Sequence, residues 1–275
     1  MSIGAARGRP RTRSTPWRAW CLLGSFALLI VAVVPPLSSA AHRTQYAAAI
    51  QFSLLAIAVP ALLCIGAPWR RLRLANDPSS NARPRFIDRV ADLRRRHREL
   101  PRTVAFVAAD LGVVLIWRIP RTVAAGVHPG WLGLEAATLI FFGIGLWLEF
   151  VASPPMAPRS GPFRRAVLAA LVLWAFWINA YVVGMSNHDL YPNFHHVAGH
   201  GLSAAADQQI AAIVLWLAAT VAFVPIVFWN AFKWLKSEDD PDAELAALRR
   251  FERRAGESVT TPAAHRRSGG PAPTP

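Results

Sequence analysis

The chain has 275 residues, 53% of them hydrophobic, and sets 30 Lys and Arg against 16 Asp and Glu for a formal net charge of +14. That is too apolar for an ordinary soluble domain and too charged for bare membrane spans, so one polytopic membrane domain with polar ends is expected. The charge does not indicate nucleic acid as a partner, because the basic residues flank apolar runs and no aromatic–basic recognition module accompanies them. The two cysteines, Cys21 and Cys64, sit in separate apolar runs and offer neither a disulfide framework nor a C-x-x-C pair.

In chain order, residues 1–16 form a basic tail, and residues 17–235 contain six apolar runs that predict an all-α bundle of about six transmembrane helices. The predicted spans are Trp17–Leu37, Thr44–Pro68, Thr103–Val127, Trp131–Ser153, Ala166–Met185 and Gln209–Leu235. Tryptophans near several ends (Trp17, Trp69, Trp131, Trp234) suit the interfacial aromatic belt. The first run, with its basic start and Ser38-Ser39-Ala40 end, also has the layout of a cleavable signal peptide, although its apolar stretch is long for one. The third is the weakest, since it holds Asp110 and has Pro120 between Arg118 and Arg121; it is expected to end near Trp117.

Arginine sets the orientation. The N-terminal tail, the basic loop 69–102, the loop with Arg159, Arg164 and Arg165, and the C-terminal segment 236–275 hold nearly all of it, whereas the opposite face has only Arg43, Arg118 and Arg121. The positive-inside rule therefore predicts both termini in the cytoplasm. Phe86–Leu100 reads equally as a basic amphipathic helix suited to anionic membrane lipids or as a solvated connector. The residues from Gly256 onward read as a disordered tail, and there is no internal repeat.

Six of the eight histidines (His42, His128, His188, His195, His196 and His200) fall on the arginine-poor outer face. Imidazole is the commonest ligand for borderline metals. The outer loop 186–207 has no Lys or Arg, and in helical form it would set His196 and His200 one turn apart, a spacing that chelates a single ion. His195 would point elsewhere. Met185 adds a soft thioether, which favours copper over magnesium or calcium. Against this, loop histidines commonly bind nothing, and Gly199 and Gly201 oppose a helix. Glu135 lies below the outer surface, where Arg118 or Arg121 can pair with it, and Asp207-Gln208-Gln209 opens the last span at the same level. An acid at a helix start also caps its own helix, so Asp207 has an ordinary explanation.

Absent patterns narrow the function. No histidine lies mid-membrane, which argues against haem held between paired histidines. Neither H-E-x-x-H nor G-x-S-x-G is present, so an intramembrane hydrolase is not indicated and no enzyme is expected.

The order of elements resembles the CtaG-type cytochrome c oxidase assembly factors. Their H-x-x-Q-H motif opening a span that closes near glycine–proline is similar to His42-Arg43-Thr44-Gln45-Tyr46 and Gly66-Ala67-Pro68. Their W-H-x-P resembles Trp117-Arg118-Ile119-Pro120, and their histidine–proline and glutamate–histidine pairs resemble His128-Pro129 and Glu135-Ala136. Their tyrosine–proline loop, D-Q-Q and methionine–tryptophan are similar to Tyr191-Pro192, Asp207-Gln208-Gln209 and Leu215-Trp216. The likeness runs from about His42 to Leu235. Tyr46, Arg118 and Ala136 stand where that pattern has histidine, and Leu215 where it has methionine.

The resemblance implies a non-enzymatic factor that works with cytochrome c oxidase subunits in a bacterial membrane. Copper is then the expected cargo on the outer face, with His42, His128, His195, His196, His200 and Met185 as candidate ligands. Gln45, Glu135, Asp207, Gln208 and Trp216 would order the site from the helix ends. A metal-free scaffold for oxidase subunits is the first alternative. A small permease for copper or another solute is the second, with Gln51, Asp110 and Asn179 as its polar path.

Overall fold

The computed structural model describes residues 16–69, 72, 74, 85–96, 100–125, 130–186, 188, 190–194 and 202–238. It divides into two units, 1–230 and 231–275; of the second, only the last turns of the final helix are described. The helices are α1 (Pro16–Val33), α2 (Leu37–Ala41), α3 (Gln45–Ser53), α4 (Val59–Gly66), α5 (Phe86–Arg96), α6 (Leu100–Trp117), α7 (Pro120–Ala125), α8 (Trp131–Phe150), α9 (Pro162–Met185) and α10 (Ala204–Glu238). A π-helical turn, Leu54–Ala58, joins α3 to α4 into one run. There is no strand among the described residues, so the all-α bundle holds.

Five described runs are long and apolar enough to cross a bilayer: α1, Gln45–Gly66, α8, α9 and Ala204–Lys236. The sixth expected span is helical as α6 but is not among them. It stops at Trp117, because Pro120 disfavours helix in the residue before it; the chain turns at Arg118-Ile119 and restarts as α7. The same physics shortens the first span: α1 ends at Val33 ahead of Pro35-Pro36, not at Leu37. The last span begins earlier than expected, at Ala204. Ser203 Oγ accepts from the Ala206 N–H at 3.1 Å, a hydroxyl cap three residues ahead of the amide it satisfies.

Phe223, fully buried, is the hub of the core. Its ring lies 5.5 Å from Trp147, 6.2 Å from Phe150 and 6.0 Å from Phe176, which ties α8, α9 and α10 together. α4 packs between α1 and α8. At Gly143 a Cβ would come within 2.8 Å of Pro60 Cγ and 3.1 Å of Ala56 O, so only glycine permits that α4–α8 approach. Gly66 plays the same part against α1, where a Cβ would meet Leu22 N at 3.1 Å. Large apolar side chains on the outer faces, among them Phe141, Leu171, Trp174, Ile213 and Val221, are exposed. Such a surface is ordinary against lipid and untenable in water.

α5 is amphipathic, and its Ile87, Ala91 and Arg94 are buried against the bundle at spacings of four and three. The expected tail features beyond residue 238 lie outside the described residues.

Candidate functional site

The polar residues of interest gather where α3 and α8 begin and α6 and α9 end. Asp207 organises this end. Its Oδ2 accepts from the Gln45 N–H at 2.7 Å and its Oδ1 from the Tyr46 N–H at 2.9 Å. Those are the first two amides of α3, which have no partner inside their own helix. Asp207 therefore caps α3 across 162 residues of sequence rather than its own helix, which Ser203 caps. A buried carboxylate on two orphan amides at a helix's positive end is a strong arrangement.

Gln208 works beside it. Its Nε2 donates to Val183 O at 2.9 Å, to Ser186 O at 3.3 Å and to His188 O at 3.4 Å, while its Oε1 accepts from the Leu190 N–H at 3.1 Å. One amide thus satisfies the end of α9 and the turn that follows. Together the two residues tie α3, α9 and α10 at one level.

A cavity of about 90 Å³ lies next to this tie, and Ala41, His42, Gln51, Phe52, Arg118 and Glu135 contribute to its wall. Arg118 is 8% exposed. Its guanidinium carbon lies over the rings of Phe52, at 5.4 Å, and Tyr191, at 5.3 Å. Tyr191 Oη in turn donates to the Arg118 carbonyl at 2.9 Å. Arg118 Nε and Nη2 are buried and find no acceptor among the described residues. Glu135 shares the lining, yet no ion pair joins it to Arg118, and Arg121 is exposed.

The remaining candidates are dispersed. His42 is exposed at the cavity wall. Gln45 is buried, with its Nε2 lacking an acceptor among the described residues. Met185 (63% exposed) and Trp216, which stacks on Trp177 at 5.7 Å, line a separate apolar groove between α9 and α10. His128, His195, His196 and His200 lie outside the described residues. Of the permease path, Gln51 donates its Nε2 to Ala32 O at 2.6 Å, and Asp110 is buried in α6.

Sequence reasoning passed over a second polar centre at the opposite end of α8. Glu149 is fully buried; its Oε1 takes Arg94 Nη2 at 2.9 Å and faces Arg159 Nη1 at 3.6 Å, and its Oε2 accepts from Thr103 Oγ1 at 3.3 Å. Arg94 Nη2 also donates to Leu148 O at 3.1 Å, and Trp69 Nε1 to Ser153 Oγ at 2.8 Å. A lone glutamate closing an apolar run was the available signal.

The fold and this end define a polytopic membrane helix bundle with a capped, polar mouth. The model of the cytochrome c oxidase caa3 assembly factor family matches residues 2–237, and the chain belongs to that family. No curated protein and no solved structure matches it.

The cavity's donor set can be tested against copper. At the positions where the resembled pattern has histidine or methionine, this chain has Ala136 and Leu215, both buried among apolar side chains, and Tyr46, held through its amide. The fourth position, Arg118, places a fixed cation in the cavity wall. Glu135 in the same wall offsets that charge, and His42 and Glu135 are the only imidazole and carboxylate lining the cavity among the described residues. No group of three His, Cys, Asp or Glu is placed to hold a metal among the described residues. The cavity does not fit copper.

Proposed function

We propose that this chain assists assembly of a cytochrome c oxidase from the bacterial cell membrane, without chemistry of its own, and that the Asp207 end is its working face on the outer side. The observation that supports this is the tie formed by Asp207 and Gln208, which fixes the ends of α3, α9 and α10, with α3 also contributing to a cavity that holds His42, Arg118 and Glu135. A rigid, partly open polar mouth suits docking of an oxidase subunit. Copper, on this reading, belongs to the loop histidines His195, His196 and His200, with His42 at the cavity wall as a neighbouring donor, and not to the cavity.

Oxidase activity in a deletion strain, complemented by wild-type or by the triple variant His195→Ala, His196→Ala, His200→Ala, tests the role. Loss on deletion with rescue by wild-type alone, together with copper binding by the purified wild-type that the variant lacks, supports a copper-handling factor. The substitutions at the positions where the resembled pattern has histidine or methionine favour a second reading, a metal-free scaffold. That reading expects rescue by both forms and equal copper affinity in both. Full oxidase activity in the deletion strain overturns the assembly role. Sidedness is checked separately by labelling Asn193→Cys and Arg96→Cys with an impermeant thiol reagent in intact cells. Asn193→Cys alone should react; equal labelling of both removes the premise.

A further inference from the structure

The geometry points to a binding site for a carboxylate group at Arg118, inside the cavity near the start of α3. It rests on the cavity alone and not on the assembly role, so either can fail without the other.

The two guanidinium atoms without an acceptor among the described residues are Nε and Nη2. They are the pair on one edge of the guanidinium, with N–H bonds side by side and nearly parallel. That edge matches the two oxygens of a carboxylate and forms two short charge-assisted bonds to it. Arg118 is more than nine-tenths buried, so these donors are largely withheld from bulk water. The guanidinium is also held in place before any ligand arrives. Two aromatic rings, Phe52 and Tyr191, pack against it, and the Tyr191 hydroxyl is bonded to the backbone of the same arginine. A donor fork fixed in advance loses little freedom on binding.

The rest of the wall selects the size and charge of the guest. A volume of about 90 Å³ admits a group of acetate size. Glu135 shares the lining, so a dianion such as phosphate would meet a carboxylate with only one guanidinium to offset it, and a monoanion meets the smaller repulsion. Phe52, Val123 and Leu132 provide an apolar wall for a short alkyl portion, and Asn193 adds an amide at the mouth. Two sources offer this chemistry: a free short-chain acid, or the C-terminus of a protein chain.

The test uses purified full-length protein in nanodiscs, with the heat of binding in titration calorimetry as readout. Acetate and N-acetylglycine are titrated beside their neutral twins, acetamide and N-acetylglycinamide. The acids should saturate the signal and the amides should not. Tighter binding of N-acetylglycine assigns the site to a chain terminus, and tighter binding of acetate to a free acid. Arg118→Lys keeps the charge and removes the fork, and should weaken both acids at least tenfold, while Glu135→Gln should tighten them. Equal response to acid and amide, or no response in wild-type protein, overturns the site. So does an Arg118→Lys protein that elutes as wild-type on gel filtration and binds the acids unchanged.

Discussion

Two arginines with nearly the same burial, Arg94 at 7% and Arg118 at 8%, have opposite surroundings. Arg94 is held by the Glu149 carboxylate and the Leu148 carbonyl, with its Nε alone left without an acceptor among the described residues, and it joins α5 to the end of α8. Arg118 has the rings of Phe52 and Tyr191 beside its guanidinium and a whole edge, Nε and Nη2, that meets no acceptor among the described residues. The two centres are separated by most of α8: Glu135 and Glu149 lie about 21 Å apart at ~1.5 Å per residue. A buried cation that holds a fold together meets its counter-charge within the chain, as Arg94 and Arg159 meet Glu149. One that makes no such ion pair marks the end where something else is received.

The largest effect should come from unbalancing the closed end. Glu149→Ala leaves Arg94 and Arg159 facing each other without an anion and should cost about 3–5 kcal/mol of stability, read by denaturant unfolding in mixed micelles. A cost below about 1 kcal/mol would show that the cluster does not join the elements. At the other end, Asp207→Ala strips two amides of their acceptor and should cost about 2–3 kcal/mol. Hydrogen exchange at Gln45 and Tyr46 should accelerate with it; unchanged exchange would mean that water caps α3 equally well. Between the two ends, Gly143→Ala pushes a methyl into Pro60 and should cost about 1–2 kcal/mol, affecting neither centre preferentially. The smallest change is Tyr191→Phe, about 1 kcal/mol from one lost hydrogen bond. It keeps the ring on Arg118, so protease access at residues 190–194 should rise while acetate affinity stays within about twofold. A tenfold loss of affinity instead would assign the hydroxyl, not the ring, to holding the guanidinium.

The helices were legible because apolar runs act locally. Pro120 ended its helix near Trp117 as read, whereas Pro35-Pro36 was passed over and the first span drawn too long, and the face of α5 that buries Ile87, Ala91 and Arg94 was not read from its spacing. The site was legible only in its parts. His42, Glu135, Asp207 and Gln208 were picked out by residue type, but nothing near Asp207 announces that its partners are the amides of Gln45 and Tyr46. Long-range capping leaves no periodic trace. Arg94 looked like one more cytoplasmic charge, and Arg118 like a lost ligand; only packing distinguishes a structural cation from an unsaturated one. Met185 and Trp216 stood near the right level in sequence, yet helix rotation turns both toward the outer groove.

The bond from Gln51 to the Ala32 carbonyl has a consequence for biosynthesis. Ala32 lies in the last turn of α1, where carbonyls have no acceptor role within their own helix. Ser25 makes the reciprocal link, donating to Val59 O at 3.0 Å. Both bonds join the first membrane helix to the second, so this pair can zip together as soon as residue 66 clears the translocon, forming a hairpin against which the later helices are threaded.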